Sequence, residues 1–294
     1  MEGGAGLSVE NRTANAVWGI SEEAGGVAGG SCVFLEKRLL TEWSRGAFAG
    51  MRLSVTRYAP GTLMPPHSHA TASVSLVVRG VFAERIDGAG RAGPGLSVIV
   101  KPAGVVHETL CGSGCCQTVS LELPSRIESQ LRVKLGAFAR VGHEDDAELT
   151  AALIALWRRA LERDIANDDA WVERWWGSCG ALMGRERVGR SDGRLATALA
   201  VGARGGSAGE AADAVGVHRV HLCRLFRAAN GRGTAANFRR ARVRRAIDEM
   251  GRSVSLAGVA SGCGFADQAH MTRAFVRETG TTPGVLRGLM AGRV

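Results

Sequence analysis

The sequence lacks a long apolar segment, a paired cysteine motif and a leader-like start. Crossing a bilayer takes roughly 18 consecutive apolar residues, and no run in this chain approaches that length, so we expect no membrane partner. The seven cysteines include no C-x2-C pair matched by a second pair or by paired histidines, which argues against a zinc finger and a disulfide framework. Residues 1–30 show no basic stretch followed by an apolar one, and we therefore expect no signal peptide and a cytoplasmic protein.

Lysine is absent from the last third of the chain, yet that segment is strongly basic. Residues 190–294 contain 17 Arg, no Lys and 7 Asp or Glu, a net charge of +10, whereas the whole chain carries +9. A concentrated positive surface attracts phosphate and speeds association with nucleic acid. The 294 residues, 45% of them hydrophobic, suffice for about two globular domains, and we expect the basic one to bind nucleic acid.

Short runs of Val, Leu and Ile between Gly and Pro turns mark the first part of the chain. Four runs stand out: Leu53–Tyr58, Val74–Val78, Leu96–Val100 and Thr118–Leu123. Several strands at this spacing are typical of a small sandwich or barrel. The preceding residues 1–30 are rich in Gly, Ala and Glu and have little periodicity, so we expect them to form a loose tail.

From about residue 145 the hydrophobic period changes to that of helices. Leucines at helical spacing predict a helix over Glu148–Asp164. A second helix is predicted over Asp168–Met183, and one of its faces carries Trp171, Trp175 and Trp176. Two interpretations stay open for this aromatic face. It either packs between helices or forms a dimer seam, since aromatic residues are enriched at interfaces.

One pattern is written twice in the last third of the chain. The copies are Ala212-x3-Gly216 followed by Leu222-x-Arg224-x-Phe226, and Ala260-x3-Gly264 followed by Met271-x-Arg273-x-Phe275. Each copy indicates a short helix, a glycine turn and a second amphipathic helix that carries arginine, which is the shape of a helix-turn-helix. Two such units predict a protein that reads two neighbouring stretches of the DNA major groove.

Local signals mark where the helices of this segment begin. Ser207, followed three residues later by Glu210, forms a capping box, and Asp267 is a natural N-cap for the second reading helix. A long connecting helix is predicted over Thr234–Met250. We expect its arginines to point outward and to hold DNA phosphates; they are Arg239, Arg240, Arg242, Arg244 and Arg245.

Three short motifs make a family resemblance specific: Gly-Phe-Ala-Asp-Gln at 264–268, Thr-Arg-Ala-Phe at 272–275 and Thr-Pro at 282–283. Together with the first copy of the repeat, they resemble the AraC/XylS family of transcriptional regulators over residues 194–287. The resemblance implies seven helices in two helix-turn-helix units joined by a rigid linker helix. Two residues depart from the family pattern: His218 stands where a Ser or Thr cap is commoner, and Leu286 where an aromatic residue is usual.

The same resemblance implies which side chains contact DNA. In the first reading helix, which opens at His218, they are Arg219, Val220, Cys223 and Arg224; in the second they are Gln268, Ala269, Thr272 and Arg273. Arginine donates two parallel bonds to guanine O6 and N7, and glutamine pairs in the same way with adenine. The apolar members of the first set suit contacts with thymine methyl groups.

Two further motifs resemble those of the cupin superfamily. Gly61-x5-His67-x-His69-x3-Ser73-x6-Gly80 is similar to the first motif, with serine in place of the usual glutamate, and Pro102-x-Gly104-x2-His107 is similar to the second. Three imidazoles suit Zn, Fe, Ni or Cu, and Cys111 adds a candidate soft ligand. The alternative is a barrel that binds a small organic effector and no metal. Cys115 and Cys116 are candidates for a redox or soft-metal sensor.

These observations predict an α+β multidomain fold, with an N-terminal cupin-like β-barrel and a C-terminal all-α domain that contains two helix-turn-helix units. The expected divisions are a flexible tail over 1–30, a ligand-sensing barrel over 31–125, a helical dimerisation or linker region over 126–189 and the DNA-binding domain over 190–294.

The favoured function is sequence-specific regulation of transcription, as activator or repressor, without enzymatic activity. The expected partners are double-stranded promoter DNA, a small-molecule or metal effector, a second copy of the chain and, for an activator, RNA polymerase. A first alternative is a cupin-type metal enzyme, such as a three-His dioxygenase, fused to a DNA-binding domain. A second is a structural nucleoid protein, which would bind DNA without regard to sequence.

Overall fold

The computed structural model describes residues 51–86, 88–135, 138, 141–162, 176, 179, 193–252 and 254–293, together with the backbone of 39–48. The predicted tail over 1–30 lies outside the described residues. So does most of the predicted helix over Asp168–Met183, including Trp171 and Trp175. Among the described residues, no helix has the length and apolar character that a membrane crossing requires.

The N-terminal part folds into antiparallel strands arranged in two sheets. The first sheet has the order β1-β2-β9-β4-β7-β10 and the second β3-β8-β5-β6. The strands are β1 Leu39–Phe48, β2 Met51–Tyr58, β3 Leu63–His67, β4 Ala72–Arg79, β5 Val81–Ile86, β6 Ala89–Pro94, β7 Val98–Lys101, β8 His107–Cys111, β9 Cys116–Leu123 and β10 Gly142–Glu144. Helix α1, Ser125–Leu135, follows β9, and helix α2, Ala147–Glu162, follows β10.

Strict alternation along the first sheet gives it two different faces. Leu53, Val74 and Val119 belong to the hydrophobic core shared with the helices. Their neighbours Ser54 and Ser120 point instead into the space between the two sheets. Because successive side chains of a strand point to opposite faces, the same strands supply an apolar outer wall and a hydroxyl-lined interior.

The C-terminal part is helical, as the sequence predicts. Its helices are α3 Gly193–Ala203, α4 Ala208–Ala214, α5 Arg219–Asn230, α6 Thr234–Met250, α7 Leu256–Gly262, α8 Gln268–Thr279 and α9 Pro283–Met290. The capping box at Ser207 is confirmed, and Asp267 caps α8 by accepting the His270 N–H at 2.6 Å. His218 takes the cap position of α5, where its Nδ1 accepts the Val220 N–H at 3.3 Å.

A single hydrophobic cluster joins the first sheet to the helices. It runs from the outer face of the sheet through Trp157 of α2 to Ile247 of α6 and Phe275 of α8. Helices α2 and α8 lie so close that a Cβ on Gly280 would stand 2.9 Å from the Cβ of Ala151. The second helix-turn-helix unit therefore packs directly against the N-terminal part of the molecule.

The prediction that all five arginines of the linker helix α6 point outward is wrong. Arg240 is only 1% exposed; its guanidinium donates to the Leu96 carbonyl at 2.7 Å. The other four also donate within the protein: Arg239 to Glu278, Arg242 to the Gly264 carbonyl, Arg244 to the Gly95 carbonyl and Arg245 to the Ala203 carbonyl. The reason is tertiary packing, because α6 is covered by the turn before β7 and by its helical neighbours.

One carboxylate binds two of these arginines and a third, Arg232, which precedes α6. Asp145, in the turn before α2, accepts hydrogen bonds from Arg232 at 2.6 Å and Arg244 at 2.8 Å, and from Arg240. Burial opposes its ionisation, but the three guanidinium groups hold the pKa of Asp145 well below its usual range. We call this set the Asp145 hub; it ties the N-terminal part to α6.

Candidate functional site

The two reading helices present the residues that the family resemblance singles out. On α5, His218, Arg219, Val220 and Arg224 are exposed and Cys223 is half-buried; on α8, Gln268, Ala269 and Arg273 are exposed and Thr272 is half-buried. Meanwhile Leu222 and Phe226 on α5, and Met271 and Phe275 on α8, are fully buried. Each helix thus anchors one face in the core and leaves the opposite face for contacts.

An open groove beside α5 is lined by cationic side chains. It lies between α5 and the first turn of α6 and includes five arginines, namely Arg219, Arg224, Arg227, Arg239 and Arg277. Val220 and Cys223 form part of the same wall. The groove therefore combines charges that suit phosphate with short side chains that suit base edges.

A second candidate site is the cavity between the two sheets. Its volume is about 330 Å³, at the small end of ligand pockets in proteins. Eight of its lining side chains carry a hydroxyl group: Ser54, Thr56, Tyr58, Ser73, Ser75, Thr109, Thr118 and Ser120. The cavity also contacts Arg52 and Glu122, which pair through two hydrogen bonds of 2.6 and 3.1 Å.

The three predicted histidines meet at one end of this cavity. His67 at the end of β3 pairs in register with His107 on β8, and their ring centroids are 4.3 Å apart. His69 lies 5.1 Å from His67 and 5.3 Å from His107, centroid to centroid. One ligand nitrogen from each ring lies within 4.8 Å of the others, so the cluster could hold a metal ion.

A lysine adjoins the cluster, and sequence reasoning missed it. The Lys101 Nζ donates to Glu84 Oε1 at 2.6 Å and to His107 Nε2 at 2.9 Å. The other nitrogen of His107, Nδ1, is hydrogen-bonded to the Val105 carbonyl at 3.1 Å. Both nitrogens of His107 are therefore engaged, and a metal ion would have to displace the ammonium of Lys101.

Burial and the neighbouring ammonium keep His107 neutral. Together, desolvation and the charge of Lys101 lower the pKa of His107 to about 4, and the same two causes lower the pKa of His69. A neutral ring has one N–H and one lone pair. In His107, Nδ1 donates to a carbonyl, so Nε2 is the acceptor for Lys101.

Acidification is expected to destabilise the protein through His107. Between pH 6.5 and about 4 the unfolded chain binds a proton at this residue that the folded chain does not, so stability falls as the pH falls through this range. We expect His107 to contribute a loss of about 1–2 kcal/mol. Urea unfolding at pH 6.5 and 4.5 should show a smaller pH effect in His107→Gln than in the unchanged protein; equal effects would contradict the assignment.

Cys111 and Cys116 lie apart from the histidine cluster. Cys111, predicted as a fourth ligand, is not a member of the cluster; it is buried with Val77, Phe82, Ile99 and Cys116. Cys111 cannot join the three histidines because it lies at the end of β8, whereas His107 lies at the beginning of that extended strand. The contact with Cys111 and burial raise the pKa of Cys116 well above its usual value, which disfavours the thiolate that a redox sensor needs.

The hydroxyl wall of the cavity was also missed, although the sequence carries a signal for it. Strand β9 alternates Thr118, Ser120 and Glu122 with Val119 and Leu121. Alternation normally indicates that the polar face is in water. Here both faces are covered, and the polar one lines a cavity.

One family model and several solved structures are similar to parts of the chain. Residues 211–288 match the family model of a helix-turn-helix domain, and a comparison with curated proteins gave no match. Among solved structures, the chain is similar to ToxT from Vibrio cholerae, with 10% identity and a TM-score of 0.35 over 81% of this chain and 98% of ToxT. It is similar to a cupin superfamily protein from Desulfitobacterium hafniense DCB-2, with 18% identity and a TM-score of 0.26 over 30% and 83% of the two chains. It is also similar to KdgF from Halomonas sp., with 15% identity and a TM-score of 0.26 over 29% of this chain and 81% of KdgF. Behind its sheet-rich N-terminal region, the chain therefore carries a helix-turn-helix domain over residues 211–288.

Proposed function

We propose that this protein is a sequence-specific, DNA-binding regulator of transcription. The observation that carries the proposal is the pair of equivalent reading helices, α5 and α8, each anchored by a buried phenylalanine and each presenting an exposed arginine at the same place, Arg224 and Arg273. Paired reading helices enter successive major-groove segments, about 34 Å apart along one face of the duplex. Nine side chains are proposed as the contacts: His218, Arg219, Val220, Cys223, Arg224, Gln268, Ala269, Thr272 and Arg273.

We propose that the effector binds in the cavity between the sheets. Polar groups converge there at one end of the cavity, which is typical of a ligand site. An effector changes DNA binding only if it binds the two states of the protein unequally. The Asp145 hub could transmit the effect of ligand binding to the DNA-binding helices, because it joins the sheet region to α6.

The proposed organisation keeps a sensing barrel over 31–125, a dimerisation or linker region over 126–189 and a DNA-binding domain over 190–294. The proposed setting is the cytoplasm, with promoter DNA and a second copy of the chain as partners, and RNA polymerase for an activator. The broad core that joins the sheet to α6 and α8 supports one coupled unit rather than two independent domains.

Replacing either equivalent arginine by alanine should weaken specific DNA binding by about 1–3 kcal/mol, or roughly 5- to 150-fold, if each makes a bidentate contact to guanine. Arg224→Ala and Arg273→Ala should relax sequence preference at different base pairs. Fluorescence anisotropy with labelled duplexes and unlabelled competitors measures both effects. Arg293→Ala, which removes an exposed arginine outside the reading helices, is the matched control and should bind unchanged. Equal affinity of all three variants would refute the proposed contacts.

A second candidate function is a metal-dependent enzyme, and the observation in its favour is the cluster of three imidazoles. Stoichiometric iron in the purified protein, together with oxygen consumption that a chelator abolishes, would support the enzyme. Iron below a tenth of the protein concentration after growth in iron-replete medium would reject it.

A further inference from the structure

The end of the cavity that holds the three histidines already contains a cation. The Lys101 side chain is 9% exposed and its partner Glu84 is fully buried, with 2.6 Å between Nζ and Oε1. The ammonium also donates to His107 Nε2 at 2.9 Å, the atom that would face a metal because Nδ1 is bonded to the Val105 carbonyl. A buried lysine is stable only when its charge is paired, and Glu84 supplies that pairing here.

The balance of charges at the cavity also disfavours a metal ion. The charged side chains at the cavity are Arg52, Lys101 and Glu122, and Glu84 pairs with Lys101 behind the wall. The two cations and two carboxylates cancel. A divalent metal would add two positive charges to this balanced site beside a fixed ammonium, at a distance where like charges repel strongly.

Two polar groups at the histidine end of the cavity, on Lys101 and Thr109, have hydrogen-bonding capacity that the described residues do not use. An ammonium has three N–H donors, and for Lys101 the described residues provide two acceptors. The Thr109 side chain is fully buried and lines the cavity, and its hydroxyl has no hydrogen-bond partner among the described residues. Buried polar groups without a partner are rare. His67 bonds the Pro65 carbonyl through Nδ1, so in the neutral ring Nε2 is an acceptor.

From this arrangement we infer that Lys101 takes the place of a metal ion in the histidine cluster, and that the cavity binds an uncharged, polyhydroxylated small molecule. Each hydroxyl of such a ligand both donates and accepts. Lys101 and Thr109 donate to it, His67 Nε2 accepts from it, and the serine and threonine hydroxyls on the opposite wall do either. The 330 Å³ volume lies at the small end of ligand pockets in proteins, which suits a compound of monosaccharide size. This inference rests on the proposed function only in treating the cavity as the effector site.

The inference that Lys101 replaces a metal ion is tested with a variant that should gain metal binding. The double variant Lys101→Met with Glu84→Gln removes the ammonium, keeps the volume and leaves no unpaired buried charge. We expect the unchanged protein to show no visible Co²⁺ ligand-field bands and the double variant to bind one Co²⁺ per chain. The His107→Gln substitution added to the double variant should abolish these bands. Stoichiometric Co²⁺ binding by the unchanged full-length protein would overturn the inference, whether or not the variant folds.

The inference that the cavity binds an uncharged, polyhydroxylated ligand is tested with matched probes on the full-length protein. Melting temperature and calorimetry are measured with D-galactose, D-xylose and sorbitol, and with D-galacturonate, which differs from galactose by one carboxylate. We expect at least one neutral compound to bind, to bind at least tenfold more tightly than galacturonate, and to lose that affinity in Thr109→Val. Tighter binding of galacturonate, or no binding of any neutral compound at 10 mM, a concentration roughly tenfold above weak effector affinities, overturns this inference. DNA binding is measured separately without sugars, so its loss would count against the proposed function alone.

Discussion

Replacing Asp145 with alanine is expected to lower the free energy of unfolding by about 2–3 kcal/mol, less than the loss for a fully buried ion pair because the Asp145 side chain is 33% exposed. Three guanidinium groups converge on this carboxylate, and one of them, Arg240, is 1% exposed. Without Asp145, Glu278 is the remaining carboxylate partner of Arg240 in the described part of the chain, at 3.2 Å. The change also leaves the positive charges of Arg232 and Arg244 close to Arg240 without the carboxylate that they share.

Urea unfolding at pH 7 measures the effect. Glu148→Ala is the matched control, because Glu148 is an exposed acidic residue three positions away in the first turn of α2; it should change stability by no more than about 0.5 kcal/mol. Since the folded-state pKa of Asp145 is depressed, its contribution is present at neutral pH and is lost as the pH falls below about 4. Losses of the same size in both variants would show that the hub does not stabilise the fold.

Replacing Gly264 with alanine should be far more damaging than the same change at Gly216, although the two glycines are equivalent in the repeat. Both have a left-handed backbone, with φ of 71° and 65°. A Cβ on Gly264 would lie 2.5 Å from the Cα and 2.8 Å from the nitrogen of Gly205, whereas a Cβ on Gly216 meets nothing within 4 Å. The contact joins the turn after α3 to the turn between α7 and α8.

Gly216→Ala should therefore cost only the left-handed strain, about 1–2 kcal/mol. Gly264→Ala adds a backbone collision that no rotamer relieves, and we expect a total loss of about 3–5 kcal/mol. Because the collision separates the two units, DNA affinity should also fall in Gly264→Ala at temperatures where the variant remains folded. Thermal and urea unfolding of the two variants, compared side by side, measure the difference; equal destabilisation would contradict the close approach at Gly205.

The helical part could be predicted closely from the sequence because its signals are local. Ser207, Asp267 and Gly280 lie within a few residues of the backbone groups that they satisfy or the turn that they permit. A reader of the sequence therefore finds where α4 and α8 begin and where α8 ends without knowing the tertiary structure. The three histidines were also predictable as a group, since two lie in one short segment and the third in a recognisable second motif.

The parts that could not be predicted depend on partners distant in the chain. Asp145 meets Arg244 from 99 positions away, and nothing near either residue signals that pairing. Lys101 and Glu84 belong to strands of different sheets, so their contact depends on how the sheets face each other. For the same reason the sequence predicts the linker arginines in solvent, because a helix with many arginines resembles a solvated face until the elements packed on it are known.

Selection of bound duplexes from a random-sequence pool by the full-length protein shows whether α5 and α8 read two neighbouring DNA segments. If they do, two short motifs should be enriched whose centres lie about 10–10.5 base pairs apart, one helical turn. Arg224→Ala should erase one motif and Arg273→Ala the other. A pool that stays random while the protein retains DNA, or a single motif lost equally in both variants, would rule out paired reading by the two helices.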